Sequence, residues 1–220
     1  MLFISCTEFF STSLAPWAAR DPDKLIPKVT ANNVDGLLAQ AENDPDLSLA
    51  LLKKISDAAG NASSGDKAKL QNAALEAATN AAGLGQAVLG RAGEIASVDN
   101  PDDAKNLLTN AINDMSNLEA AASILTNTLP DPANDTALKN FTDTASPEDL
   151  ATAAALLLAG EAKKSGDIDG YINSSFNKDS PDLSPAENLA VKMAEAAKDK
   201  YTDTGANGPL KDLLSGLGLI

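Results

Sequence analysis

The sequence predicts an all-α chain, and three observations carry that prediction. Ala (40 residues) and Leu (30 residues) together make up about a third of the 220 residues. These are strong helix formers, and Ala is depleted from strands. A capping residue followed by proline recurs along the chain, the usual opening of a helix. Apolar residues then return at helical spacing, as in Ala104, Leu107, Leu108, Ala111, Ile112 and Met115, which trace one face. The expected architecture is an irregular α-solenoid or a bundle of antiparallel helical hairpins, with about ten to eleven helices. A single all-helical domain over 31–220 follows an N-terminal tether or clasp over 1–30.

The elements follow in order. Helices are expected over 33–42, 45–59, 66–81, 84–97, 101–114, 117–128, 133–143, 147–163, 168–175, 185–202 and 209–218. Asp44-Pro45 opens the second and Asn100-Pro101 the fifth. Ser146-Pro147 and Ser184-Pro185 open two more, each with an acid three residues after the serine, the pattern of a capping box. Asp131-Pro132 is a weaker start. Lys53-Lys54 and Lys163-Lys164 are placed near helix C-termini, where the helix dipole favours cations. The run Leu150 to Ala159, broken only by Thr152, reads as a central buried helix. It is about half the ~20 apolar residues that a membrane span needs. The cap-proline starts have no fixed period, so a regular tetratricopeptide array is not supported.

Charge and composition narrow the chemistry. Asp and Glu (31) outnumber Lys and Arg (17), for a net charge of −14. Such a surface repels phosphate backbones, so no nucleic-acid partner is expected. There is no histidine. That excludes Ser-His-Asp and Cys-His catalysis and every imidazole metal site. Carboxylate-only chemistry survives, and a lytic enzyme of that class would need a buried, raised-pKa glutamate beside an open groove, drawn from Glu76, Glu94, Glu119, Glu148, Glu161, Glu187 and Glu195. The expectation is nonetheless a non-enzyme with no cofactor and no metal.

Several motifs dissolve on inspection. Gly85 to Ala92 has the glycine spacing of a phosphate loop but lacks its Lys and its Ser or Thr. Gly83, Gly85, Gly90 and Gly93 therefore read as close packing or a joint. Asp167-Ile168-Asp169-Gly170 has the spacing of a calcium loop, but Ser165 would stand first and Phe176 twelfth, where Asp and Glu are needed. Capping of the helix at Tyr171 is the simpler account. The acid pairs Asp102/Asp103 and Glu148/Asp149 sit in first helical turns, where the dipole stabilises negative charge.

The one cysteine, Cys6, cannot form an intramolecular disulfide. It follows Phe3-Ile4-Ser5, apolar residues and then a small one, which resembles the lipobox cut by bacterial signal peptidase II before the thiol is acylated. Five residues precede Cys6 and none is basic, whereas a signal peptide carries a basic region and about 7–15 apolar residues. The lipobox reading therefore expects a truncated precursor signal, and a free cysteine is the alternative. Phe9, Phe10 and Trp17 suit either a membrane-proximal tether or a clasp on the first helices. Near the C-terminus, Leu210, Leu213, Leu214 and Leu217 share one face and form either a core-closing helix or a docking face for a partner.

The stretches Cys6 to Ser13, Trp17 to Pro22, Asn33 to Leu38 and Asn43 to Leu49 resemble a family of spirochaetal lipoproteins with a helical, tetratricopeptide-like body. The resemblance implies a periplasmic protein anchored by lipid to the outer or inner membrane and supplies no active site. A cytoplasmic location is the alternative. The functional expectation is a cell-envelope lipoprotein acting as a protein-binding or scaffolding module, tethered through Cys6, with an envelope protein as partner. The alternative is a helical small-molecule-binding lipoprotein serving a transporter.

Overall fold

The computed structural model describes residues 26–84, 101–171 and 177–204. Within them the chain is all-helical, without a strand. The described helices are α1 (Val34–Ala41), α2 (Pro45–Gly60), α3 (Ser64–Ala82), α4 (Pro101–Asp114), α5 (Leu118–Thr128), α6 (Asp135–Thr144), α7 (Pro147–Ser165), α8 (Ile168–Gly170) and α9 (Pro185–Thr204).

The capping chemistry sets most of these starts. Asp44 Oδ1 accepts from the backbone N–H of Asp46 at 3.1 Å and of Leu47 at 3.0 Å, ahead of Pro45. Ser146 and Asp149 form a reciprocal capping box, with the Asp149 N–H donating to Ser146 Oγ at 3.0 Å and the Ser146 N–H to Asp149 Oδ2 at 3.4 Å. Ser184 and Glu187 repeat it, at 3.2 Å and 2.7 Å. Gly83 (φ 69°) and Gly166 (φ 75°) close α3 and α7 in the left-handed conformation that glycine adopts without strain.

Helices α5 and α7 form the centre. Helix α5 packs on α2, α3, α7 and α9, and α7 packs most extensively on α9. From Leu150 to Ala159 every residue of α7 is buried except Thr152, so the apolar run is a central helix as its composition predicts. Thr152 is tolerated there because its hydroxyl donates to the Glu148 carbonyl at 2.7 Å. Leu118, Leu125, Leu150, Leu156 and Leu157 are fully buried. Each contributes about 1.5–3 kcal/mol through removal from water. Ser48, equally buried, donates to the Ala41 carbonyl at 2.8 Å and fixes α2 to the end of α1.

Two lysines tie distant segments together. Lys163 Nζ on α7 donates to the carbonyls of Ile112 and Asn113, both at 3.4 Å, and of Met115. They belong to the last turn of α4 and the residue just after it. Lys200 Nζ on α9 does the same for α6, donating to Asp143 O at 3.1 Å and Ala145 O at 2.6 Å.

Some expectations need correction. Lys53 and Lys54 lie too far from the end of α2, whose last turn holds no basic residue, and the dipole effect is confined to that turn. Lys163 and Lys164 do lie in the last turn of α7, as expected, and Lys163 also reaches the end of α4. Helix α6 starts at Asp135 rather than 133. The Asp131 carboxylate takes the Ala133 N–H at 2.8 Å in a turn, and Asn134 is the cap, accepting from the Ala137 N–H at 3.1 Å. Helix α3 starts at Ser64, two residues earlier than its pattern suggests. The segments 209–218 and, beyond Leu84, 84–97 lie outside the described residues, as do residues 172–175 of the helix expected over 168–175. The described residues therefore hold nine helical segments against an expected ten to eleven.

Candidate functional site

Four helix ends converge on one open depression of about 340 Å³. Its walls are the last turn of α2, the first turns of α3, the end of α5 with the turn that follows, and α6. Pro130 creates it. A residue before proline is pushed out of the helical region, and Leu129 is extended (φ −69°, ψ 163°), so α5 stops and the chain crosses to α6.

The floor is polar and satisfied. Gln71 is 4% exposed, and its Nε2 donates to the Thr128 carbonyl at 2.9 Å. The Thr128 hydroxyl donates to Ile124 O at 2.7 Å and is hydrogen-bonded to the Ser56 hydroxyl at 2.8 Å. A buried amide without a partner costs about 1–3 kcal/mol, so these bonds hold the floor in one arrangement. The Phe141 side chain is buried behind it, 1% exposed. The rim carries Asn127, Asn134 and Asn140, all exposed. Lys67 and Asp131 are its charged residues, one of each sign, so the depression is neutral on a chain of net charge −14.

A second open depression, of about 620 Å³, lies between residues 26–31 and the α2–α3 corner. Lys28, Lys54, Asp57 and Asp66 surround Val29 and Leu70 there. Its edge is ordered by Asn33, whose Oδ1 accepts from the Thr30 N–H at 2.8 Å and whose Nδ2 donates to Lys28 O at 2.9 Å.

Among the described residues, three titratable groups have shifted affinities. Burial, and then the Glu187 carboxylate that accepts its hydrogen bond at 2.7 Å, pushes the Tyr171 hydroxyl far up. Burial, and then Glu148, raises Tyr201. Partial burial raises the Glu76 carboxyl, with Asp149, Asp35 and Glu42 adding repulsion. Glu76 lines neither of these two depressions. Glu148 and Glu187 line neither depression, and Glu187 is held by Tyr171 and Ser184.

The Asp167 to Gly170 motif resolves as capping. Asp167 Oδ1 accepts from the Gly170 N–H at 2.9 Å, and Asp169 Oδ1 accepts from Thr109 Oγ1 at 2.6 Å, joining α8 to α4. Among the described residues, no cluster of three acid or cysteine side chains is placed to hold a metal, and no helix is long and apolar enough to cross a membrane.

The residues singled out in the sequence, Cys6, Leu210, Leu213, Leu214 and Leu217, lie outside the described residues, as does the phosphate-loop-like stretch from Gly85. Sequence reasoning missed Gln71, Thr128 and the three asparagines of the depression. No local signal marks them, since Gln71 and Thr128 meet across 57 residues and asparagines suit any solvated helix face. No protein family, no curated protein and no solved structure matches this chain.

Proposed function

We propose that the chain is a non-enzymatic, protein-binding body of the bacterial cell envelope, tethered at the membrane through an acylated Cys6 and located in the periplasm. The observation that carries the binding role is the neutral, asparagine-rimmed depression between α3 and α6. It lies open on the surface of a body whose centre is packed with Leu and Ala side chains of α5 and α7. We read that body as a bundle of antiparallel helical hairpins, because α5 touches both earlier and later helices. The lipobox-like Phe3-Ile4-Ser5-Cys6 and the resemblance to spirochaetal lipoproteins support the address.

The test has two parts. Intact-mass analysis of the protein from native envelopes should show acyl chains on Cys6 with residues 1–5 absent. A photo-cross-linker at position 140, on the rim, should capture an envelope protein that one at exposed Glu195 on α9 does not. An unmodified Cys6 sinks the tether, and equal capture from both positions sinks the binding role. A second reading is a small-molecule receptor serving a transporter. It is favoured by the volume of about 340 Å³, which falls in the range of ligand pockets. Native mass spectrometry of the purified protein would then show a retained ligand.

A further inference from the structure

We propose that the depression between α3 and α6 reads the main chain of an extended, uncharged peptide segment through its asparagine carboxamides. This rests on the protein-binding reading and names what the partner presents.

Three observations point to main-chain amides. First, the site is electrically balanced, with Lys67 against Asp131, on a chain of net charge −14. The lining therefore has no net charge with which to select an ion of one sign, and its neutral dipoles outnumber its charges. Second, carboxamides are on offer. Asn140 is exposed, and its carboxamide has no hydrogen-bond partner among the described residues; Asn134 uses its Oδ1 on the Ala137 N–H and leaves Nδ2 available there. A carboxamide both donates and accepts, matching the alternating N–H and C=O of an extended chain. Third, the floor already shows this pairing: the buried Gln71 carboxamide donates to the Thr128 main-chain carbonyl at 2.9 Å. A glycan shares the preference for asparagine but also stacks on an exposed aromatic face, and Phe141 is 1% exposed.

The test is an NMR titration of the full chain with two probes. One is a tetrapeptide of alternating Ala and Ser, acetylated and amidated. The other is a tetramer of N-acetylglucosamine. The peptide should give saturable shifts of the side-chain amide signals of Gln71, Asn127, Asn134 and Asn140. Asn140→Ala should weaken that binding about three- to tenfold, the loss of one neutral hydrogen bond. Asn140→Asp should weaken it too, since the donor is gone. The proposal fails if the peptide gives no saturable shift at millimolar concentration, if Asn140→Ala binds as wild type, or if the saccharide shifts these signals and the peptide does not. Position-140 cross-linking separates the two failures: capture of an envelope protein without peptide binding overturns this proposal and leaves the protein-binding reading standing.

Discussion

Gly160 of α7 lies directly against Ala122 of α5, with no room for a side chain between them. A Cβ on Gly160 would overlap the Ala122 methyl, and both residues are buried at the centre of the fold. The closest approach of the two central helices is therefore set by a glycine and an alanine. Glycine inside a helix costs roughly 0.5–1 kcal/mol relative to alanine, and here the close packing offsets it.

Gly160→Ala should therefore destabilise the protein, against its better helix propensity, by about 1–3 kcal/mol from overpacking. Urea unfolding followed by circular dichroism reads it. The double variant Gly160→Ala/Ala122→Gly should recover much of the loss, because the two sites share one contact. A Gly160→Ala protein as stable as wild type would show that α5 and α7 separate without cost.

The two tyrosines should respond oppositely to loss of the hydroxyl. Tyr171 donates to Glu187 Oε1 at 2.7 Å, so Tyr171→Phe should cost about 1.5–3 kcal/mol, the worth of a hydrogen bond to a charged group. Tyr201 is 1% exposed and its buried hydroxyl has no hydrogen-bond partner. Tyr201→Phe should be neutral or stabilising. Denaturation midpoints of the two variants decide this, and a Tyr201→Phe protein weaker than Tyr171→Phe contradicts it.

Lys163 and Lys200 should matter more than the other lysines. Lys163→Met removes the ammonium that the carbonyls of Ile112, Asn113 and Met115 share and should cost about 1–3 kcal/mol. Lys53→Met, at an exposed position on α2, should stay within about 0.5 kcal/mol. Equal losses in thermal or urea unfolding would reduce Lys163 to one more surface charge.

Glu76 should make the fold less stable as it ionises. Its carboxyl is raised by partial burial and then by Asp149, Asp35 and Glu42. The folded state therefore binds the Glu76 proton more tightly than the unfolded chain does. Its favourable contribution is complete below the unfolded value and disappears as pH rises through the folded one. Glu76→Gln should stabilise the protein at neutral pH and lose that advantage in acid, below the ordinary carboxylate range. Melting curves across pH test the sign, and a stabilisation that grows in acid refutes it.

Much of the helical pattern was legible because its signals are local. Asp44-Pro45, Ser146-Pro147 and Ser184-Pro185 each announce a start within a few residues, and Leu150 to Ala159 announces its own burial. What escaped depends on residues far apart in sequence. Asp131 was mistaken for a cap because an aspartate before proline serves a turn as readily as a helix. Lys163 is in the last turn of its own helix, as its position implies, but nothing near it in sequence reveals that the end of α4 arrives beside it. The depression was invisible for the same reason: Gln71 meets Thr128 across 57 residues. Neither residue belongs to a motif, and their neutral side chains give no charge pattern.

The lysine caps also set an order of events on the ribosome. The carbonyl end of α4 is complete only when Lys163 emerges, 48 residues after Met115, and the end of α6 only when Lys200 emerges, 55 residues after Ala145. At about 5–20 residues per second, each end stays open for roughly 2 to 11 s of synthesis. Through that interval the C-termini of α4 and α6 lack the donors that Lys163 and Lys200 supply, and water and passing chaperones reach them.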